Sequence, residues 1–330
     1  MAAYTTIDDP GEYFQSKLYS GTGSDQSITL DGDNNLQPDL IWVKRRDGTG
    51  GHGLVDSVRG ANKWLASEGT GGEDTSTENI TFGSDGFTWN GGNYDRNSSG
   101  ETYVAWCWKE SATAGFDINI HSGTGSSADV SHNLSAVPEI IMTKRRSATQ
   151  QWFVYTTTTG SQDALFLDST SAESNQPAAY DALPTSSVTN YGNDNAVNGS
   201  GDTYVAYLWK NVQGFSRMGI YKGNGNADGP FVYTGFKPAW LMITHTGSTQ
   251  GWEIWDNKRS PSNSGGNIIA ANSDAAERSN STWAALDFLS NGFKVRYTDA
   301  LNNTNGSTYF FMAFAEAPFV NSEGVPCTAR

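Results

Sequence analysis

The sequence predicts an all-β protein of three tandem β-sandwich or jelly-roll-like modules, with short loops and little helix. Three observations carry this expectation. Aromatic residues make up 12% of the 330-residue chain, including 11 Trp, which supplies the large side chains needed to offset the entropy of ordering. The 37 glycines are spread through short polar turns rather than gathered in one tract. Five short signatures then recur in one order, with a period of about one hundred residues.

Each repeat opens on an alternating segment that starts at an aromatic (Phe14, Phe116, Phe215) and runs into a turn. The turns are Tyr19-Ser-Gly-Thr-Gly23, His121-Ser-Gly-Thr-Gly125 and Tyr221-Lys-Gly-Asn-Gly225. A strand introduced by proline follows at Pro38, Pro138 and Pro238, where the first residue of a strand loses no ladder donor. Its β-branched and aromatic residues suit a pleated, half-buried surface. A polar turn leads to a further strand, Gly53–Asp56, Trp152–Tyr155 and Trp252–Trp255. Asp85-Gly86 and Asn291-Gly292 read as hairpin turn pairs; the second repeat has Ser186-Ser-Val188 there. The shared ending is Gly100-Glu-Thr-Tyr-Val-Ala-Trp106, Gly201-Asp-Thr-Tyr-Val-Ala-Tyr207 and Gly306-Ser-Thr-Tyr-Phe-Phe-Met-Ala313. It is apolar on both faces, which marks a central strand. Expected bounds are 1–11 for an N-terminal segment, 12–112, 113–212 and 213–320 for the repeats, and 321–330 for a tail. Short helices are expected only at Ser57–Leu65 and Asp274–Arg278.

A formal net charge of −14 and a pI near 4.6 disfavour nucleic acid and anionic membrane as partners. The basic runs Lys44-Arg45-Arg46 and Lys144-Arg145-Arg146, with a weaker echo at Lys258-Arg259, read as solvated strand edges that block unwanted pairing. Cys107 lies in an apolar run and reads as a small buried hydrophobe; with Cys327 it makes no disulfide framework and no zinc spacing. No apolar stretch approaches a membrane span, and the first ten residues lack the regions of a secretory signal, so synthesis in a cytoplasm is expected.

Catalytic chemistry is not expected. Neither His52, in register with Trp152 and Trp252, nor His121, in register with Tyr19 and Tyr221, recurs as His. No nucleophile elbow or H-E-x-x-H is present, and the Gly-x-Gly turns lack the helix and lysine of a phosphate loop. Among carboxylates only Asp56/Asp256 and Glu101/Asp202 keep their positions, the latter pair reading as turn caps. Asp31-Gly-Asp-Asn-Asn35 starts like a calcium loop, but Trp42 stands where the bidentate Glu belongs, so a polar turn is the better reading. No cofactor or metal is expected.

Trp42, Trp106, Trp108, Trp209 and Trp240 fall in repeat-matched strands and read as core. Trp64, Trp89, Trp255 and Trp283 lie near loops or on less regular segments, where they form either a packing cluster or a sugar-stacking surface. The repeats differ most at Gly69–Glu78, Ser171–Tyr180 and Ser260–Ala271, polar loops of the kind on which a scaffold carries recognition. Either a surface-glycan contact, near Trp64, Trp89 or Trp283, or packing against neighbouring subunits is expected there.

Several stretches resemble virion proteins of marine tailed phages, including those infecting cyanobacteria and pelagic bacteria. These are Thr5-Thr-Ile-Asp-Asp-Pro10 with Tyr13-Phe14-Gln15, Pro38-Asp-Leu-Ile-Trp-Val-Lys44, Asp56-Ser-Val-Arg-Gly60, the segment from Gly100 to Lys109, that from Gly229 to Trp240, and Phe288-Leu-Ser-Asn-Gly-Phe-Lys294. The resemblance covers nearly the whole chain and implies a structural, tail-fibre-like virion component. On that basis a non-enzymatic surface protein is expected: a tail or head fibre, spike or collar appendage that aids host attachment. The alternative is a capsid decoration protein that cements the shell. Expected partners are other virion proteins, a host glycan and further copies of the chain, with a trimer as one form. The segment Tyr4–Phe14 has no counterpart in the later repeats, and Ile7, Tyr13 and Phe14 are expected to anchor it to the particle.

Overall fold

A computed structural model describes residues 3–90, 95–160, 162–279 and 285–328. The chain is nearly all β, with 43% strand and 2% helix. Three main antiparallel sheets follow one strand order. In each, the opening strand pairs with the closing strand, which pairs with the proline-introduced strand, which pairs with the next. In the first sheet these are Phe14–Ser20, Thr102–Trp108, Leu40–Arg45 and Gly53–Asp56. In the second they are Phe116–Ser122, Thr203–Trp209, Ile140–Arg145 and Phe153–Thr156, and in the third Ser216–Lys222, Thr308–Pro318, Phe236–His245 and Glu253–Asp256. The second and third sheets continue through two further short strands. A smaller sheet, such as Gln26–Ile28 with Gly86–Asn90 and Asn79–Gly83, accompanies each.

Strand alternation divides the closing strand between two interiors. Tyr103, Ala105 and Cys107 face a core formed with the small sheet, including Ile28, Phe87 and Trp89. Val104, Trp106 and Trp108 face the other way, into a large apolar cluster that takes in residues of all three main sheets. Three equivalent positions meet there: Trp108 lies 6.2 Å from Trp209 and 5.6 Å from Phe314, ring centre to ring centre. The strand order therefore follows the sequence repeat, whereas the apolar interior does not divide with it. Burial on both faces of a strand flanked on both edges explains why the closing strand reads as continuously apolar.

Tyr103, Tyr204 and Tyr309 are all buried and pinned alike. Their hydroxyls accept from the backbone N–H of Ser98, Gly199 and Thr304; those of Tyr204 and Tyr309 donate to the carbonyls of Asn195 and Ala300, and that of Tyr103 lies 2.7 Å from the Glu101 carboxylate and 3.2 Å from Asp95 O. Each ring stacks on the opening strand, at 5.2 Å from Tyr19, 5.0 Å from His121 and 5.2 Å from Tyr221.

Several local expectations are corrected. Ser57–Leu65 and Asp274–Arg278 contain no helix; the α-helix described is the single turn Asn195–Asn198. Ser216, not Phe215, holds the register position of Phe14 and Phe116. Pro38 and Pro138 precede their strands, but Pro238 lies inside one, at a point where the pairing slips on either side of it. Such an irregularity accommodates the missing donor. The hairpin loop in the first repeat is Ser84-Asp85, with Gly86 beginning the return strand. Glycine is required there because φ is +101° and a Cβ would stand 2.0 Å from the Ile28 carbonyl oxygen.

Candidate functional site

The three main sheets are joined by contacts that repeat cyclically, each sheet gripping another at equivalent positions. Trp152 Nε1 of the second sheet donates to the Ala66 carbonyl at 2.8 Å, and Trp252 Nε1 of the third donates to Phe166 O at 2.8 Å. His52 takes this position in the first repeat, its Nε2 lying 3.0 Å from Ala270 O. Trp106 Nε1 donates to Asp256 at 3.0 Å, and the Tyr207 hydroxyl donates to Asp56 at 2.7 Å. Backbone N–H groups of Glu277, Glu73 and Glu173 donate to the carbonyls of Arg46, Arg146 and Thr246. These contacts relate the sheets by a pseudo-threefold arrangement within one chain, linking first to third, second to first and third to second.

Two of the three seams carry buried charge. Arg59 and Arg259 are fully buried ion-pair partners of Asp56 and Asp256, and Arg46 and Arg146 pair with Glu277 and Glu73. Lys44 and Lys144 are buried and donate across the seams to Asp274 O and Thr70 O; burial pushes both ammonium groups down to about 8. The first and last residues of the two full basic runs, and Arg259, are therefore seam residues rather than solvated edges. Lys44, Lys144, Arg46 and Arg146 reach carbonyls and carboxylates of the neighbouring repeat, while Arg45 and Arg145 pair with Glu101 and Asp202 of their own. The seam from the third sheet to the second replaces these groups with Thr244, Thr246, Thr156 and Thr159. Glu173 persists there, and burial raises its pKa. At Glu73 burial also opposes ionisation, but hydrogen bonding from Arg146 and the Arg59 charge outweigh it, and the pKa is lowered.

A cleft of about 510 Å³ opens at the seam between the first and third sheets. Internal comparison explains why it lies there. Ser16 occupies the register position of Ile118 and Met218. Ala239 stands where the other repeats have Asp39 and Glu139, as shown by the equivalent bonds from Ser57, Thr157 and Asn257 N–H groups. Ala315 stands where they have Lys109 and Lys210, its N–H donating to Phe215 O as theirs do to Tyr13 and Gly115. All three short residues line the cleft. The Ser16 hydroxyl is buried without a hydrogen-bond partner, an arrangement that costs about 1–3 kcal/mol when nothing offsets it. Gln15, also in the lining, accepts from Gly32 N–H at 2.7 Å and donates to Gly11 O at 2.8 Å. Lys237 and Asn257 both hold Glu316, at 2.8 and 2.7 Å.

The residues singled out from the sequence are placed elsewhere. Trp64 and Trp89 are buried and stack on each other at 5.9 Å, so neither offers a face to a sugar; Trp255 is buried too. Trp283 lies outside the described residues. Ile7 and Phe14 are buried in the shared core, with Tyr13 packed against it. Ile7 and Phe14 thus close the chain's own interior, and Tyr13 is half-buried against it. Tyr4 donates to Gly235 O, Thr5 to Gln213 O, and Asp8 accepts from Ser322 N–H, so the N-terminal segment is bound to the third repeat. The variable loops are likewise stitched inward: Glu73 and Glu173 bond neighbouring sheets, and Gln150 N–H donates to Thr70 O. Glu101 and Asp202 pair with Arg45 and Arg145 rather than only capping turns. Asp31 pairs with Lys17, and among the described residues no group of three or more His, Cys, Asp or Glu is placed to hold a metal ion. No described helix is long and apolar enough to cross a membrane.

Sequence reasoning missed Ser16 and Ala239. The available signal was the repeat itself, since aligning Tyr19, His121 and Tyr221 sets Ser16 against Ile118 and Met218.

Among curated proteins, none matches the chain. Residues 9–318 match the family described as Domain of unknown function (DUF7483), a span that takes in every strand of the three main sheets. The chain belongs to the DUF7483 family.

Proposed function

We propose that this chain is a non-enzymatic structural protein of a bacteriophage virion, a surface appendage of tail, head or collar that aids attachment to the host. The observation that carries the structural part of this reading is the cyclic seam network. Three sheets share one core, and two of the seams between them are reinforced by buried ion pairs. Such a unit resists local opening, because its loops are tied to neighbouring sheets rather than left mobile. The resemblance of its repeated signatures to marine phage virion proteins supplies the biological context. Other virion proteins, and further copies of this chain, are the proposed partners.

Capsid decoration is the second reading, and the pseudo-threefold arrangement favours it. Three equivalent sheets present repeated surface features that can match a threefold-symmetric site on a shell.

Immunogold electron microscopy of purified particles, with antibody raised against the whole chain, tests both. Label on the tail, collar or projecting fibres supports the appendage. Label distributed over the shell supports decoration. Particles that carry no label, and contain none of the chain by mass spectrometry, overturn the virion reading.

A further inference from the structure

We propose that the cleft between the first and third sheets is a binding site for a short, neutral saccharide. The inference goes beyond the virion reading and does not rest on it.

The cleft is a specific departure from the repeat. Where the pattern calls for Ile or Met it has Ser16, and where it calls for an acid it has Ala239. These changes leave a space of about 510 Å³, within the size range of small-molecule sites. Ser16, 4% exposed, is among the lining residues, and its hydroxyl is buried without a hydrogen-bond partner. The other two seams do not combine these substitutions.

The chemistry of the lining selects the ligand class. Four carboxylates (Asp9, Asp31, Asp33 and Glu316) face two ammonium groups, Lys237 and Lys258. The acidic excess, in a chain of net charge −14, disfavours phosphate and other anions. Lys237 is paired with Glu316 and Lys258 with Asp31, so much of the remaining charge is internally compensated. What the cleft offers is an array of carboxylate, ammonium and amide groups, with Ser16 in its lining. Such an array matches sugar hydroxyls, each of which can donate one hydrogen bond and accept others. The small apolar surfaces of Ala239, Ala315 and Pro261 suit the C–H face of a pyranose. Phe14, the aromatic residue of the lining, is itself buried in the core, so it offers no exposed ring to stack a nucleobase.

Saturation-transfer NMR on the full chain tests the proposal. The probes are glucose, galactose, mannose, N-acetylglucosamine and their β-linked disaccharides, with inorganic phosphate and spermidine as charged comparators. At least one saccharide is expected to bind the wild type. Its affinity should fall at least tenfold in Ser16→Ile and in Ala239→Asp, each of which installs a residue that an equivalent position already carries. Hydrogen exchange on the wild type locates the site however the variants fold: added sugar should protect residues 14–17 and 237–239. The proposal is overturned if no saccharide binds, if phosphate or spermidine binds in its place, if a sugar binds both folded variants as tightly as wild type, or if protection appears elsewhere. Virion incorporation is measured separately, so failure here leaves that reading standing, and the converse holds.

Discussion

Trp106 and Asp256, 150 residues apart in sequence, meet across the seam between the first and third sheets, indole N–H to carboxylate at 3.0 Å. Both are fully buried. The Arg259 guanidinium pairs with the same carboxylate and lies 5.6 Å over the Trp106 ring. Removing the guanidinium leaves a buried, uncompensated carboxylate held only by neutral donors, the Trp106 indole and the backbone N–H groups of residues 258 and 259. Arg259→Met should therefore cost about 3–5 kcal/mol, read as a lower denaturation midpoint with little change in slope. A cost below about 1 kcal/mol would show that the seam is open to water.

The seam from the third sheet to the second lacks the arginine that the others use. Thr246→Arg places a guanidinium beside Glu173, as Arg146 stands beside Glu73. The expected gain is about 0.5–1 kcal/mol, modest because the pair is partly exposed. The Glu173 pKa, now raised by burial, should drop below its ordinary value, which carboxyl NMR titration would detect. An unchanged titration would mean that the new side chain does not reach the seam.

The N-terminal segment ties the first repeat to the third, two regions not consecutive in the chain. Ile7 is buried in the shared core. Ile7→Ala should cost about 2–4 kcal/mol through lost burial and the cavity left behind. Deleting residues 1–9 should cost more, since Tyr4, Thr5 and Asp8 contacts go with it. If the deletion melts at the wild-type temperature, the segment is not a structural tie.

Acid should weaken the first seam through His52. Its Nδ1 accepts from Trp42 Nε1 at 2.8 Å, and its Nε2 faces the carbonyls of Ala270 and Ser273. Burial, with the Lys44 charge adding to it, pushes its pKa down from 6.5 to about 3. The folded form holds the imidazole neutral, so on acidification the unfolded chain takes the proton first. Stability is complete above about pH 6.5 and is lost as pH falls toward 3. Between pH 7 and 4 the loss from this group should reach about 2–3 kcal/mol. Comparison with His52→Gln isolates it from the carboxylates, which also respond to acid. Parallel stability profiles for the two proteins would refute the assignment.

The strand order was legible because it is a local property repeated three times. Alternation, turn residues and the doubly apolar closing strand each depend on near neighbours in sequence, and three copies separate the pattern from chance. The identity of partners across the seams was not legible. Lys44 and Lys144 look like edge lysines until the carbonyls of Asp274 and Thr70 are brought to them. Trp64 and Trp89, on less regular segments, resemble an exposed aromatic surface until they stack beneath it. Ser16 is one serine among many until Ala239, distant in sequence, lines the same space. The sequence by itself determined the sheets, through backbone geometry and periodic burial. Only the tertiary structure decided the seams and the cleft, because hydrogen bonds and voids between repeats depend on how three surfaces close around one core, and no spacing along the chain encodes that closure.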